Sequence, residues 1–145
     1  LMPGFLDAAS VDGIVRRVRE AGIAVRDSRI IGLDPRDARW VRNWTRLLME
    51  SGRPPQALWI TDDNLVEQAA LGLVDAGVVV DRDLAVIAHA NLPLDAPSPP
   101  GFERYGVDLR EVTRRALSLL VSAQDPSRAG RPEVVPCQWV QDEAL

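Results

Sequence analysis

Asp62 and Asp63 stand side by side after the apolar run Ala57 to Thr61 (ALWIT), and Asn64 follows them. Two carboxylates at the end of a buried strand can accept hydrogen bonds from the hydroxyl groups of a ligand. The same residues also suit a plainer purpose. Asp at a helix start satisfies free backbone N–H groups and meets the positive end of the helix dipole. One of the pair is read as such a cap; the other stays open between cap and ligand contact. His89 follows a second apolar run, Leu84 to Ala88 (LAVIA), either as a pocket wall or as a histidine packed under the Pro-rich stretch Pro93 to Gly101. Asn91, two residues on, is expected to bond its own loop backbone. Asp34, ahead of Pro35, sits at another strand-to-helix junction.

No catalytic signature accompanies these residues. The chain has no G-x-x-x-x-G-K-[ST], H-E-x-x-H, G-x-S-x-G or G-x-G-x-x-G segment. A Ser-His-Asp triad could use His89, but no Ser occupies a recognisable nucleophile turn. One His and one Cys cannot build a typical zinc site, and a single Cys cannot form an internal disulfide. Cys137 is therefore read as a buried small apolar residue. The expectation is no enzyme, no metal and no cofactor.

The elements that must hold the candidate residues alternate along 145 residues, enough for one domain with a real core. Ser10 is a helix N-cap ahead of Val11, Ile14, Val15, Val18 and Ala21, and Gly22 stops that helix. Arg29 to Leu33 (RIIGL) reads as a short buried strand. Asp34-Pro35-Arg36-Asp37 starts a helix with the stripe Trp40, Val41, Trp44, Leu47 and Leu48, ended by Gly52 and Pro54-Pro55. Trp40 and Trp44 are read as core or subunit interface, and Trp59 as core of a strand buried on both faces. After ALWIT, Asn64 and Glu67 fit a relaxed capping box, with Leu65, Val66, Ala69, Ala70 and Leu73 inward and Gly77 as the stop. LAVIA is a further strand, and Phe102 to Val107 can be extended. Asp108 caps a helix whose core face is Leu109, Val112, Ala116, Leu119 and Leu120, and Val134 to Val140 closes with a mixed strand. Strand-helix alternation at this spacing predicts an α/β fold, a parallel sheet with helices on both faces. Ligands then bind beyond the carboxyl ends of the strands, at Leu33-Asp34, Thr61-Asp62-Asp63 and His89-Ala90-Asn91.

Charge narrows the partners. Seventeen basic residues, all Arg, face 21 acidic ones, for a net charge of -4 and a pI near 5.0. That balance argues against a nucleic-acid surface. Arg16-Arg17-Arg19 and Arg114-Arg115 read as solvated helix faces, and Asn43-Trp44-Thr45, a glycosylation triplet placed mid-helix, as chance. No apolar run approaches the roughly 20 residues of a membrane span, so no membrane association is expected.

From Pro54 onward the chain resembles the C-terminal half of a lactose-repressor (LacI/GalR) family effector-binding domain. That family reads approximately P-x-A-[IL]-[FV]-[AV]-x-N-D-x-[ML]-A-x-G, then a helix, then [ED]-[DI]-x-V-[VI]-G-[FY]-D-[DN]-x-P. Here Pro55-Gln-Ala57-Leu58-Trp59-Ile60-Thr61-Asp62-Asp63-Asn64-Leu65 precedes Asp83-Leu-Ala-Val86-Ile87-Ala88-His89-Ala90-Asn91-Leu92-Pro93. Val107 to Ala116 is similar to the family's Q-P-x-x-E-x-G-x-x-A helix, Val134-Val135-Pro136 with Trp139-Val140 to its last strand, and Met2-Pro3-Gly4-Phe5 to its R-x-x-G-F segment. The resemblance implies a Rossmann-like lobe of the type I periplasmic-binding-protein fold. Residues 1–106 would form the C-terminal lobe, 107–125 a segment belonging to the N-terminal lobe, and 126–145 the return. It also implies a homodimer, a cytoplasmic location, and DNA contact only through a helix-turn-helix that this sequence does not contain. A chain opening inside a motif is expected to be a fragment, a truncated protein or part of a longer one.

The departures from the family bear on the ligand. The family's sugar-holding Arg, Asn and Asp positions hold Leu1, Asp62 and Ala90 here, and His89 replaces the aromatic residue after Gly. The resemblance thus implies an effector site built on Asp62, His89 and Asp34, with Asp63 and Asn91 holding the loops. Its ligand would be sugar-like or, given Asp62, amine-bearing. Two other readings stay open: a periplasmic solute-binding protein of a transporter, and a dimerisation scaffold whose cleft no longer binds.

Overall fold

Alternating apolar residues build the centre of the molecule. The computed structural model describes residues 8–32, 37–93, 99–122 and 134–140. Strands β1 (Ala57–Ile60), β2 (Ala85–Leu92) and β3 (Phe102–Asp108) run parallel, and the short β4 (Gln138–Trp139) pairs antiparallel with β3, in the order β1-β2-β3-β4. Ile60 lies opposite Ala88, Ala90 opposite Gly106, and Leu92 opposite Asp108. Because side chains alternate across a strand, Leu58, Ile60, Val86, Ala88 and Ala90 are buried on one face. Trp59, Ile87 and His89 emerge half-buried on the other.

Helices α2 (Ala38–Met49) and α3 (Val66–Asp75) cover the buried face. Val41 from α2 meets Leu65, Ala69 and Leu73 from the α3 region in one cluster with the strand residues, Leu84 and Phe102. The two helices approach closely at Gly72. A Cβ there would overlap the Arg42 carbonyl oxygen and come within 2.8 Å of Thr45 Cβ. Thr45 itself is fully buried, its hydroxyl donating to the Val41 carbonyl at 2.9 Å, so no polar atom is stranded at the contact. At the rim the Arg42 guanidinium grips Asp75 in a fork at 2.5 and 2.7 Å, which holds the Asp75 carboxyl below its ordinary pKa.

Helix ends follow the local chemistry. Asp37 caps α2, its carboxylate accepting from Trp40 N at 3.1 Å. Asp108 caps α4 (Leu109–Val121), accepting from Arg110 N at 2.8 Å. Gly22 and Gly77 take φ of +81° and +69°, the left-handed values that glycine adopts without a Cβ penalty. Each closes a helix through paired backbone bonds: Ile23 N to Val18 O with Gly22 N to Arg19 O after α1 (Ala8–Glu20), and Val78 N to Leu73 O with Gly77 N to Val74 O after α3.

Several expectations need correction. Ser10 lies inside α1, which begins at Ala8, so it is not the cap. Residues 30–32 of the expected RIIGL strand carry no regular structure, and Leu33 lies outside the described residues. Arg19 binds both the Val25 carbonyl at 2.9 Å and Asp27 at 2.6 Å, and Asp27–Arg29 then closes a 3-10 turn. That turn takes up the start of the segment; Ile31 still packs against the core. The inward face of α2 is centred on Val41, Trp44 and Thr45, leaving Trp40 and Leu47 largely exposed. Asn64 is not a cap, because a 3-10 turn, Asp63–Leu65, precedes α3 and moves the capping position back to Asp62. Trp59 is half-buried, not core. Cys137 is exposed, because only Gln138 and Trp139 of the closing segment pair with the sheet. No residue of α4 is buried; Leu120, expected to face the core, is 71% exposed. No described helix is long and apolar enough to cross a membrane.

Candidate functional site

Strand β1 delivers Thr61, Asp62 and Asp63 to the carboxyl edge of the sheet, where β2 also ends. Asp62 has extended backbone (φ -130°, ψ 118°), and its Oδ1 accepts from both Asn64 N at 3.0 Å and Asn64 Nδ2 at 2.9 Å. Asp63 turns the other way. Its Oδ2 accepts from Asn91 Nδ2 at 2.6 Å, and its Oδ1 accepts from Asn64 Nδ2 at 3.3 Å. The Asp63–Asn91 bond crosses from the loop after β1 to the end of β2, tying two neighbouring strand ends together. The expected loop at His89-Ala90-Asn91 is in fact strand, since β2 continues to Leu92 and a cis Leu92–Pro93 bond follows. Asn91 therefore bonds Asp63 across the edge, in place of the local turn expected of it.

The edge carries two half-buried carboxylates, and no described arginine pairs with either. Such a site can accept further hydrogen bonds from hydroxyl or ammonium donors, and it favours a cationic group. Asn64 acts as the brace, its amide reaching both acids. The sequence pattern had marked Asn64 only as a helix cap, so this bridging role was missed.

His89 lies two positions before Asn91 and so on the same face of β2. Its ring stands 5.6 Å from Tyr105 at an interplanar angle of 78°. Tyr105 is also the edge-on partner of Trp59 at 5.9 Å and of Trp139 at 6.1 Å. Trp59 Nε1 donates to the Tyr105 hydroxyl at 3.0 Å, and burial pushes the pKa of that phenol up. His89 is thus a member of an aromatic face and forms no hydrogen bond with a described hydroxyl or thiol. Trp59, Ile87, Tyr105, Cys137, Gln138 and Trp139 line an apolar groove of about 300 Å³ there. Tyr105 and Trp139 carried no functional signal in sequence; only the strand register brings them beside Trp59.

The structure therefore unites Asp62, Asp63 and Asn91, places His89 beside them on the aromatic face, and leaves Asp34 outside the described residues. A larger cleft of about 500 Å³ lies between α1 and the Asp27 turn, lined by Asp12, Val15, Arg16, Arg19, Glu20, Asp27 and Ile30, and holds none of the expected site residues. Among the described residues no group of three or more His, Cys, Asp or Glu side chains could hold a metal ion.

Comparison with known proteins places the fold. No curated protein matches the chain. Among solved structures it is similar to a LacI-family transcriptional regulator from Arthrobacter sp. FB24 in complex with lactose, with a TM-score of 0.73 and 22% identity over 90% of this chain and 48% of that one. A sugar-binding LacI-family regulator from Escherichia coli complexed with phosphate gives 0.72 and 18%, over 99% and 53%. A protein from Bacillus cereus subsp. cytotoxis NVH 391-98, described as a LacI transcriptional regulator, gives 0.75 and 20%, over 90% and 46%. The chain spans about half the length of these proteins. The likeness fixes the fold, a mostly parallel sheet with flanking helices. Residues 9–143 match the model of the periplasmic binding protein-like domain, and the chain belongs to that family.

Proposed function

We propose that this chain is the effector-binding and dimerisation part of a LacI-type transcriptional regulator, binding a small polar metabolite without catalysis. The observation that carries the reading is the Asp62–Asp63–Asn91 edge, where two braced carboxylates stand at the carboxyl ends of parallel strands in a periplasmic binding protein-like domain, the end at which such sheets generally bind ligands. Asp62 supplies the contact to the ligand, Asp63 and Asn91 keep the edge in register, and His89 forms a further wall. The lactose and phosphate bound by two of the similar regulators support a small, polar ligand. The carboxylates of Asp62 and Asp63, each braced by an amide and paired with no described arginine, extend that class to amine-bearing sugars and small amines.

In this reading residues 1–106 and 126–145 belong to one lobe and 107–125 to the other, except that Val107 and Asp108 stay paired with β2 as the end of β3, so the crossing follows Asp108. The exposed Leu117, Leu120 and Val121 on α4 support the division, since a helix with such an apolar face needs a second body to cover it. Ligand binding would shift lobe closure and so the spacing of DNA-reading heads carried elsewhere.

A thermal-shift screen against sugars, polyols, nucleobases and small amines tests the proposal. A ligand at about one hundred times its dissociation constant stabilises the native state by about 2.7 kcal/mol. The expected result is a stabilising compound whose effect is lost in Asp62→Asn, a substitution that preserves a capping oxygen and removes the charge. If no class stabilises the chain, the cleft is a scaffold feature, with both acids spent on Asn64 and Asn91.

A further inference from the structure

We draw no further inference here: the strongest candidate, the apolar groove between Trp59, Ile87, Tyr105 and Trp139 on the less buried face of the sheet, carries none because nothing in the structure shows what covers it.

Discussion

Asn91 and Asp63 meet at 2.6 Å from positions far apart in the chain, and each would otherwise be an ordinary polar residue. A hydrogen bond to a charged group contributes about 1.5–3 kcal/mol when well shielded, and this one is only half-buried. Asn91→Ala should therefore destabilise the fold by about 1 kcal/mol, read from the urea midpoint at unchanged slope. No change in midpoint would mean that water replaces the amide at no cost. Asp83 offers a pH test at the same scale. The Arg82 guanidinium and the Val79 N–H hold its carboxyl at about 2, below the ordinary 3.8. A depressed folded pKa gives stability that is present above the unfolded value and lost as pH falls through the folded one. The melting temperature should then fall between about pH 4 and pH 2, and Asp83→Asn should flatten part of that fall. Residue types carried some of this in advance. Asp62 and Asp63 were legible as a candidate edge because two adjacent carboxylates follow a buried apolar run. Which of them caps was not legible, because it depends on a 3-10 turn whose hydrogen bonds leave no periodic pattern.

Among the elements, α2 and α3 show how a sequence stripe and a packed face can differ. Trp40, Val41, Trp44, Leu47 and Leu48 share a helical side, yet the close approach at Gly72 rotates the seam toward Thr45. A polar Thr reads as surface in sequence; its bond to the Val41 carbonyl is what admits it to the core. Gly72→Ala should cost about 1–3 kcal/mol by forcing the helices apart, as overpacking does in a filled core. Gly52→Ala, where an added Cβ meets nothing within 4 Å, should change stability by less than about 1 kcal/mol. Equal effects of the two substitutions in chemical denaturation would contradict the seam as described. Strands β1 and β2 were legible because their apolar runs, one between Pro55 and Asp62 and one between Asp83 and His89, have strand length and are too short for a helix. The length of β2 was hidden: His89 and Asn91 look like loop residues until the pairing with Tyr105 and Val107 shows them in the ladder.

At the scale of the whole molecule, order and spacing carried more than any single motif. The α/β reading and the family follow from that order, whereas the exposure of α4 depends on what lies against it, which a local pattern cannot report. Dimerisation belongs to this scale. Leu71 and Val74 stand on the outer side of α3, Val74 at 70% exposure, beside a core otherwise well covered. Sedimentation at micromolar concentration should show a dimer, and Val74→Glu should shift it to monomer with little change in the melting temperature of the isolated subunit. Monomer throughout would remove the dimer from the proposal.

The exposed thiol of Cys137 has a practical corollary. It is the sole cysteine in the chain and stands in the groove with Trp59, Tyr105 and Trp139. A maleimide dye would attach at one position, within reach of two indoles and a phenol that can quench it. Anything that settles on that face, or draws β4 away from β3, would alter the emission of a probe whose address is already known.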